Sequence, residues 1–180
     1  MHANLFGDFI KGNDLDHLPQ KLQEGIRLHR SIDSYIDHHP AVLTLMRELY
    51  SILPKVSGIA IDLFFDHLLA KNWENYHPTP LADFIDDFYR AELVDKAHFS
   101  PEYLFVLDKM KEKNWLYQYQ FSYGLMKACN GVSRRISFPN ALGNAHRVFE
   151  ELEPRITETF VIYMQDARDF FQKYSVENGL

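Results

Sequence analysis

The chain has 180 residues, enough to bury a substantial core and few enough for one domain. Its net charge of −6 argues against general nucleic-acid binding, and 46% hydrophobic with 24% charged residues is ordinary for a globular protein. The single cysteine, Cys129, excludes an internal disulfide and a cysteine-based zinc site; no apolar run approaches membrane-spanning length, and no signal peptide opens the chain. The expectation is a cytoplasmic protein of one domain over residues 1–180, with no nucleic-acid or membrane partner.

The elements follow in order. Leu5, Phe6, Phe9 and Ile10 recur at helical spacing over Ala3 to Lys11, and Gly12-Asn13 closes that segment. Pro19 suits the first turn of a helix running to about Asp37, in which Leu22, Ile26, His29 and Ile36 share a stripe. Pro40 opens a helix to about Leu53. Ile59 to Trp73 is apolar on almost every side, which predicts burial. Leu81 to Leu93 is amphipathic, with Asp83, Asp86 and Asp87 facing water. Ser100-Pro101 caps a helix ending near Lys113. Trp115 to Ala128 reads as one helix with a break at Asn130-Gly131, and Asn140 to Tyr174 as a long final stretch that Pro154 kinks or restarts. No period-two alternation marks a strand, so the fold class is all-α, with about seven or eight helices.

Three segments set acids or histidines among apolar neighbours. They are Asp8; His29 with Asp33, four residues apart on one helix face; and Asp62, Asp66 and His67 in the apolar helix. Burying unpaired charge is costly, so such groups are normally paired, hydrogen-bonded or metal-bound. Carboxylates and imidazoles without thiolate suit Mn, Fe, Mg or Zn held for hydrolysis. Arg30, Arg134 and Arg135 add guanidinium groups of the kind that grip phosphate. Each feature also has a plainer reading. Asp8 is a helix stop, His29–Asp33 a surface pair, Asp66-His67 a metal-free buried pair, and Arg134-Arg135 a helix C-terminal complement. His38 and His39 read as capping or surface residues, and Trp73 and Trp115 as core. A nucleotide or small-ester phosphohydrolase and a non-catalytic helical module both remain open on these residues alone.

Taken in order, N-x3-D-F-I-K-G-N (Asn4 to Asn13), G-I-x-x-H-R-x-I-D (Gly25 to Asp33), D-x3-D-H-x-L-x3-W (Asp62 to Trp73), W-L-x-x-Y (Trp115 to Tyr119) and the stretch from Asn130-Gly131 to Arg134-Arg135 resemble the acyl carrier protein phosphodiesterase family. The resemblance spans nearly the whole chain. It implies an all-α, divergent HD-type phosphohydrolase, supported by manganese with Mg2+ or Fe2+ possible. The implied reaction removes 4′-phosphopantetheine from holo-acyl carrier protein, placing the protein in lipid metabolism. Here the dyad reads Asp66-His67, the reverse of the usual His-Asp order. The resemblance implies metal or water ligands at Asp8, His29, Asp33, Asp66 and His67, with Asp62 beside them. It places phosphate or the acidic carrier at Lys11, Arg27, Arg30, Arg134 and Arg135. It also implies a further apolar, histidine-containing segment ahead of Asn4. The geometric expectation is that Asp66 and His67 line a cleft facing His29 and Asp33, with Asp8 near its mouth.

Overall fold

Prolines and a few side-chain caps set where the helices begin. In the computed structural model, which describes residues 1–93 and 95–178 with side chains through Tyr174, the order is α1 (His2–Leu5), a 3-10 turn (Phe6–Phe9), α2 (Gln20–His38), α3 (Pro40–Leu49), α4 (Ser57–Lys71), α5 (Leu81–Arg90), α6 (Pro101–Glu112), α7 (Trp115–Gln118), α8 (Ser122–Ser133) and α9 (Ala145–Asn178). No strand occurs among the described residues, so the all-α expectation holds. The Pro19 carbonyl accepts from the Leu22 and Gln23 amides and starts α2. Pro40 occupies the first turn of α3, and Ser100 Oγ accepts from the Tyr103 amide at 3.2 Å to cap α6. No helix among the described residues is long and apolar enough to cross a membrane.

Several boundaries differ from expectation. The first segment is one short helix followed by a 3-10 turn, and α3 stops at Leu49. Trp115 to Ala128 is two helices. Phe121 N–H donates to the Gln118 carbonyl at 3.0 Å, and a β-carbon on Gly124 would overlap that carbonyl. The chain turns there so tightly that only glycine fits. Asn130-Gly131 does not break α8; the Asn130 side-chain Nδ2 instead donates back to the Met126 carbonyl at 2.9 Å. Asn140 closes α8, its side chain bonding Ser133 Oγ, the Ser133 carbonyl and the Phe138 carbonyl. α9 runs through Pro154 as one element.

Contacts divide the chain into two compact units, the division falling within α2 after Ser34. The first comprises residues 1–34 and 73–117. Its core packs Phe6, Leu22, Ile26, Phe88, Phe99 and Tyr103, with the Phe6, Phe99 and Tyr103 rings about one another. The second comprises residues 35–72 and 118–180, and α4 touches α3, α8 and α9 within it. Ala60, Ile61, Phe64 and Leu68 of α4 are all but inaccessible. Burying each large side chain contributes roughly 1.5–3 kcal/mol. Cys129 is buried in this unit, and burial pushes its thiol up to about 11.

Candidate active site

In the first unit the 3-10 turn sets Asp8 against α2. Gly7 makes this possible, because a β-carbon there would overlap the His29 ring. Gly25 does the same one turn earlier on α2, where α1 crosses at Ala3. His29 Nε2 then lies 3.1 Å from Asp8 Oδ1 and 3.1 Å from Asp33 Oδ2. The imidazole is only 15% exposed, while the Asp8 and Asp33 side chains are 61% and 58% exposed. The ring is sheltered and its acid partners face water. The Asp8 hydrogen bond raises the His29 pKa above its usual value, and the charges of Asp8 and Asp33 add to it; burial opposes them.

Arg30 Nη2 donates to the Gly12 carbonyl at 2.6 Å. Gly12 has φ +82, in the left-handed region that favours glycine. Arg30, expected to grip phosphate, is bound here to the turn that follows Asp8. Lys11 and Arg27 are exposed, and Arg27 pairs with Gln23 at 2.9 Å.

In the second unit the buried-acid expectation fails. Asp62 and Asp66 are exposed, and only His67 of that trio is buried. Gly58, Asp62, Asp66 and Ala70 follow at steps of four along the least buried side of the helix; the two aspartates are exposed and the glycine and alanine half-buried. Asp62 shares a cavity of about 570 Å³ with Asp37, Arg47 and Lys55. His67 Nδ1 donates to the Tyr119 carbonyl at 2.6 Å, and its ring meets Phe149 edge-on. That carbonyl sits in the α7–α8 break, outside any helix ladder. Burial lowers the His67 pKa, so the ring is kept neutral. Asp66 and Arg135 both act on the Tyr119 hydroxyl, whose pKa is raised by burial first and then by Asp66. Arg134 and Arg135 are exposed at the end of α8. His39, expected to cap or to lie at the surface, stands at the N-cap position of α3 without a side-chain cap bond, and it is buried and paired with Asp166 at 3.1 Å.

Thus Asp8, His29 and Asp33 converge in one unit, whereas Asp62, Asp66 and His67 belong to the other. Gly7, Gly12 and Tyr119 were not singled out from the sequence as site residues. The signal for Gly7 was its place directly before Asp8. Among the described residues no group of three or more His, Cys, Asp or Glu side chains forms a ready metal cage. The triad's donor types still suit a divalent cation.

Fold and site together define an all-α protein with a sheltered imidazole braced by two carboxylates. The family model described as acyl carrier protein phosphodiesterase matches residues 1–167. The chain belongs to that family. It is 26% identical over 178 residues to the acyl carrier protein phosphodiesterase of Photorhabdus laumondii subsp. laumondii, covering 98% of this chain and 86% of that relative. It is 27% identical over 136 residues to the proteins of the same name from Salmonella paratyphi A and Salmonella agona, covering 75% of this chain and 70% of each. No solved structure matches it.

Proposed function

We propose that this chain is a phosphoric diester hydrolase that frees 4′-phosphopantetheine from holo-acyl carrier protein. The observation that carries the reading is the Asp8–His29–Asp33 triad, set within two of the ordered family motifs. Water adds to phosphorus, the bond from phosphorus to the carrier serine oxygen breaks, and that oxygen takes a proton. The products are 4′-phosphopantetheine and apo-carrier protein.

The chain's own part is positioning and charge. Asp8 and Asp33 fix the His29 ring, and Arg30 holds the Ile10–Asn13 turn so that Asp8 stays over α2. Asp8, His29 and Asp33 would hold a divalent cation, Mn2+ first, with Mg2+ or Fe2+ as substitutes. Such an ion supplies Lewis acidity toward the phosphoryl oxygens and lowers the pKa of water. The exposed Asp62 and Asp66 and the tied His67 have weaker support as ligands. His67 Nδ1 is engaged, which leaves Nε2 as its one nitrogen for another partner.

The test is turnover with added Mn2+ of holo-carrier protein against a panel of nucleotides and small phosphate esters. Release of 4′-phosphopantetheine from wild type, lost in Asp8→Asn and His29→Gln, is the expected result. Turnover of nucleotides alone would overturn the reading.

A further inference from the structure

The charge of this chain is unevenly spread. The whole sequence is net −6, yet residues 118–149 contain Lys127, Arg134, Arg135 and Arg147 and no Asp or Glu. That stretch includes all of α8. Tyr123, Lys127, Gly131 and Arg134 recur at steps of three and four along the helix, and all four are exposed. Nothing lies within 4 Å of where a β-carbon on Gly131 would stand, so the middle of this face is open backbone.

Aromatic rings accompany the cations. Tyr123 is 53% exposed and Phe121 46%, far more than large apolar side chains inside a core. The Lys127 ammonium stands 4.5 Å from the Tyr123 ring centre. Phe138, in the loop after α8, is covered in the same way by Lys55 at 5.8 Å. Lys55 holds φ +67, which puts a non-glycine residue in the left-handed region just before α4. Acids border the face on the α4 side: Asp66 acts on the same Tyr119 hydroxyl as Arg135, and Asp37 and Asp62 share a cavity with Lys55. Lys127, Arg134 and Lys55 therefore carry most of the positive field.

We infer that this face, α8 with Lys55 and Phe138, is the docking surface for an acidic protein partner, the carrier protein whose phosphodiester is cut. The inference rests on the proposed reaction for the partner's identity. Its own support is charge complementarity. A carboxylate-rich partner is disfavoured by a chain of net −6 except where cations dominate locally, as along residues 118–149, which hold four Lys or Arg and no Asp or Glu. The exposed rings supply apolar contact between those cations, as interface cores require.

Binding of apo-carrier protein, which has no arm to hydrolyse, tests the surface by itself. In wild type, amide shifts on adding apo-carrier should cluster in residues 121–138, and binding should weaken with salt. The pair Lys127→Glu with Lys55→Glu should bind at least about tenfold more weakly, and KM for holo-carrier should rise with kcat little changed at saturation. Lys127→Arg should retain binding. If wild type cleaves holo-carrier but the shifts fall elsewhere, or the double reversal binds as well as wild type, the surface is refuted and the reaction stands. If wild type does not cleave holo-carrier, the reaction fails and the partner assignment with it. Tighter binding of an oligonucleotide than of the carrier at this face would also refute it.

Discussion

Gly7 lies directly beneath the His29 ring, close enough that a β-carbon would overlap Cδ2 and Cγ. The catalytic reading depends on this closeness, because it lets Asp8, the next residue, reach Nε2. Gly7→Ala should push the ring away from Asp8 and cost roughly 1–3 kcal/mol through overpacking. Urea unfolding should show that loss, and the His29 pKa should fall back toward its ordinary value. A Gly7→Ala protein with wild-type stability and His29 titration would show that the turn tolerates the bulk.

The two candidate histidines should titrate in opposite directions. His29 is raised, chiefly by its Asp8 hydrogen bond, and His67 is lowered by burial. A raised pKa means the folded state binds the proton more tightly than the unfolded chain. The His29 contribution is therefore complete below about pH 6.5 and is lost as pH rises through the folded value. For His67 the unfolded chain binds the proton more tightly. Its contribution is complete above about pH 6.5 and is lost as pH falls toward the folded value. Imidazole resonances followed by NMR across that range check both, and Asp8→Asn should return His29 toward normal while leaving His67 unmoved.

His67 should prove structural in the first instance. Its Nδ1–H is the partner of the Tyr119 carbonyl at the α7–α8 break. His67→Ala removes that donor and opens space beside Phe149. Leaving the carbonyl unsatisfied costs about 1–3 kcal/mol. Asp62→Ala and Asp66→Ala, at exposed positions, should change stability by no more than about 0.5 kcal/mol. Denaturant midpoints compare the three. A large loss in Asp66→Ala with none in His67→Ala would reverse the roles assigned to them.

The contrast between these residues shows what the sequence could carry. His29 and Asp33 were legible because a spacing of four fixes a shared helix face whatever surrounds it. The helical class was legible because long apolar periodicities leave no room for strands. Solvent access to Asp62 and Asp66 was not. Apolar residues all round α4 predict burial, yet two positions one turn apart on its least buried side, Asp62 and Asp66, are exposed. The α7–α8 break was hidden for a different reason. It depends on the Gly124 approach to the Gln118 carbonyl and on a histidine more than fifty residues away, and neither is a local propensity. Arg30 showed its charge in the sequence but not its partner, a carbonyl exposed by the left-handed Gly12.

Metal affinity supplies the last prediction. A cation and a proton compete for His29 Nε2, and the carboxylates that would help hold the cation also hold the proton. Mn2+ binding should weaken as pH falls through the raised His29 pKa and should release a proton in that range. Calorimetric titration in buffers of different ionisation enthalpy counts the proton, and Mn2+ paramagnetic broadening locates the site. Broadening should fall on resonances of Asp8, His29 and Asp33, and both Asp8→Asn and Asp33→Asn should weaken binding. Because the two carboxylates are exposed, these variants should keep wild-type folding. Mn2+ binding that persists unchanged in both would move the ion away from this triad and toward the acids of α4.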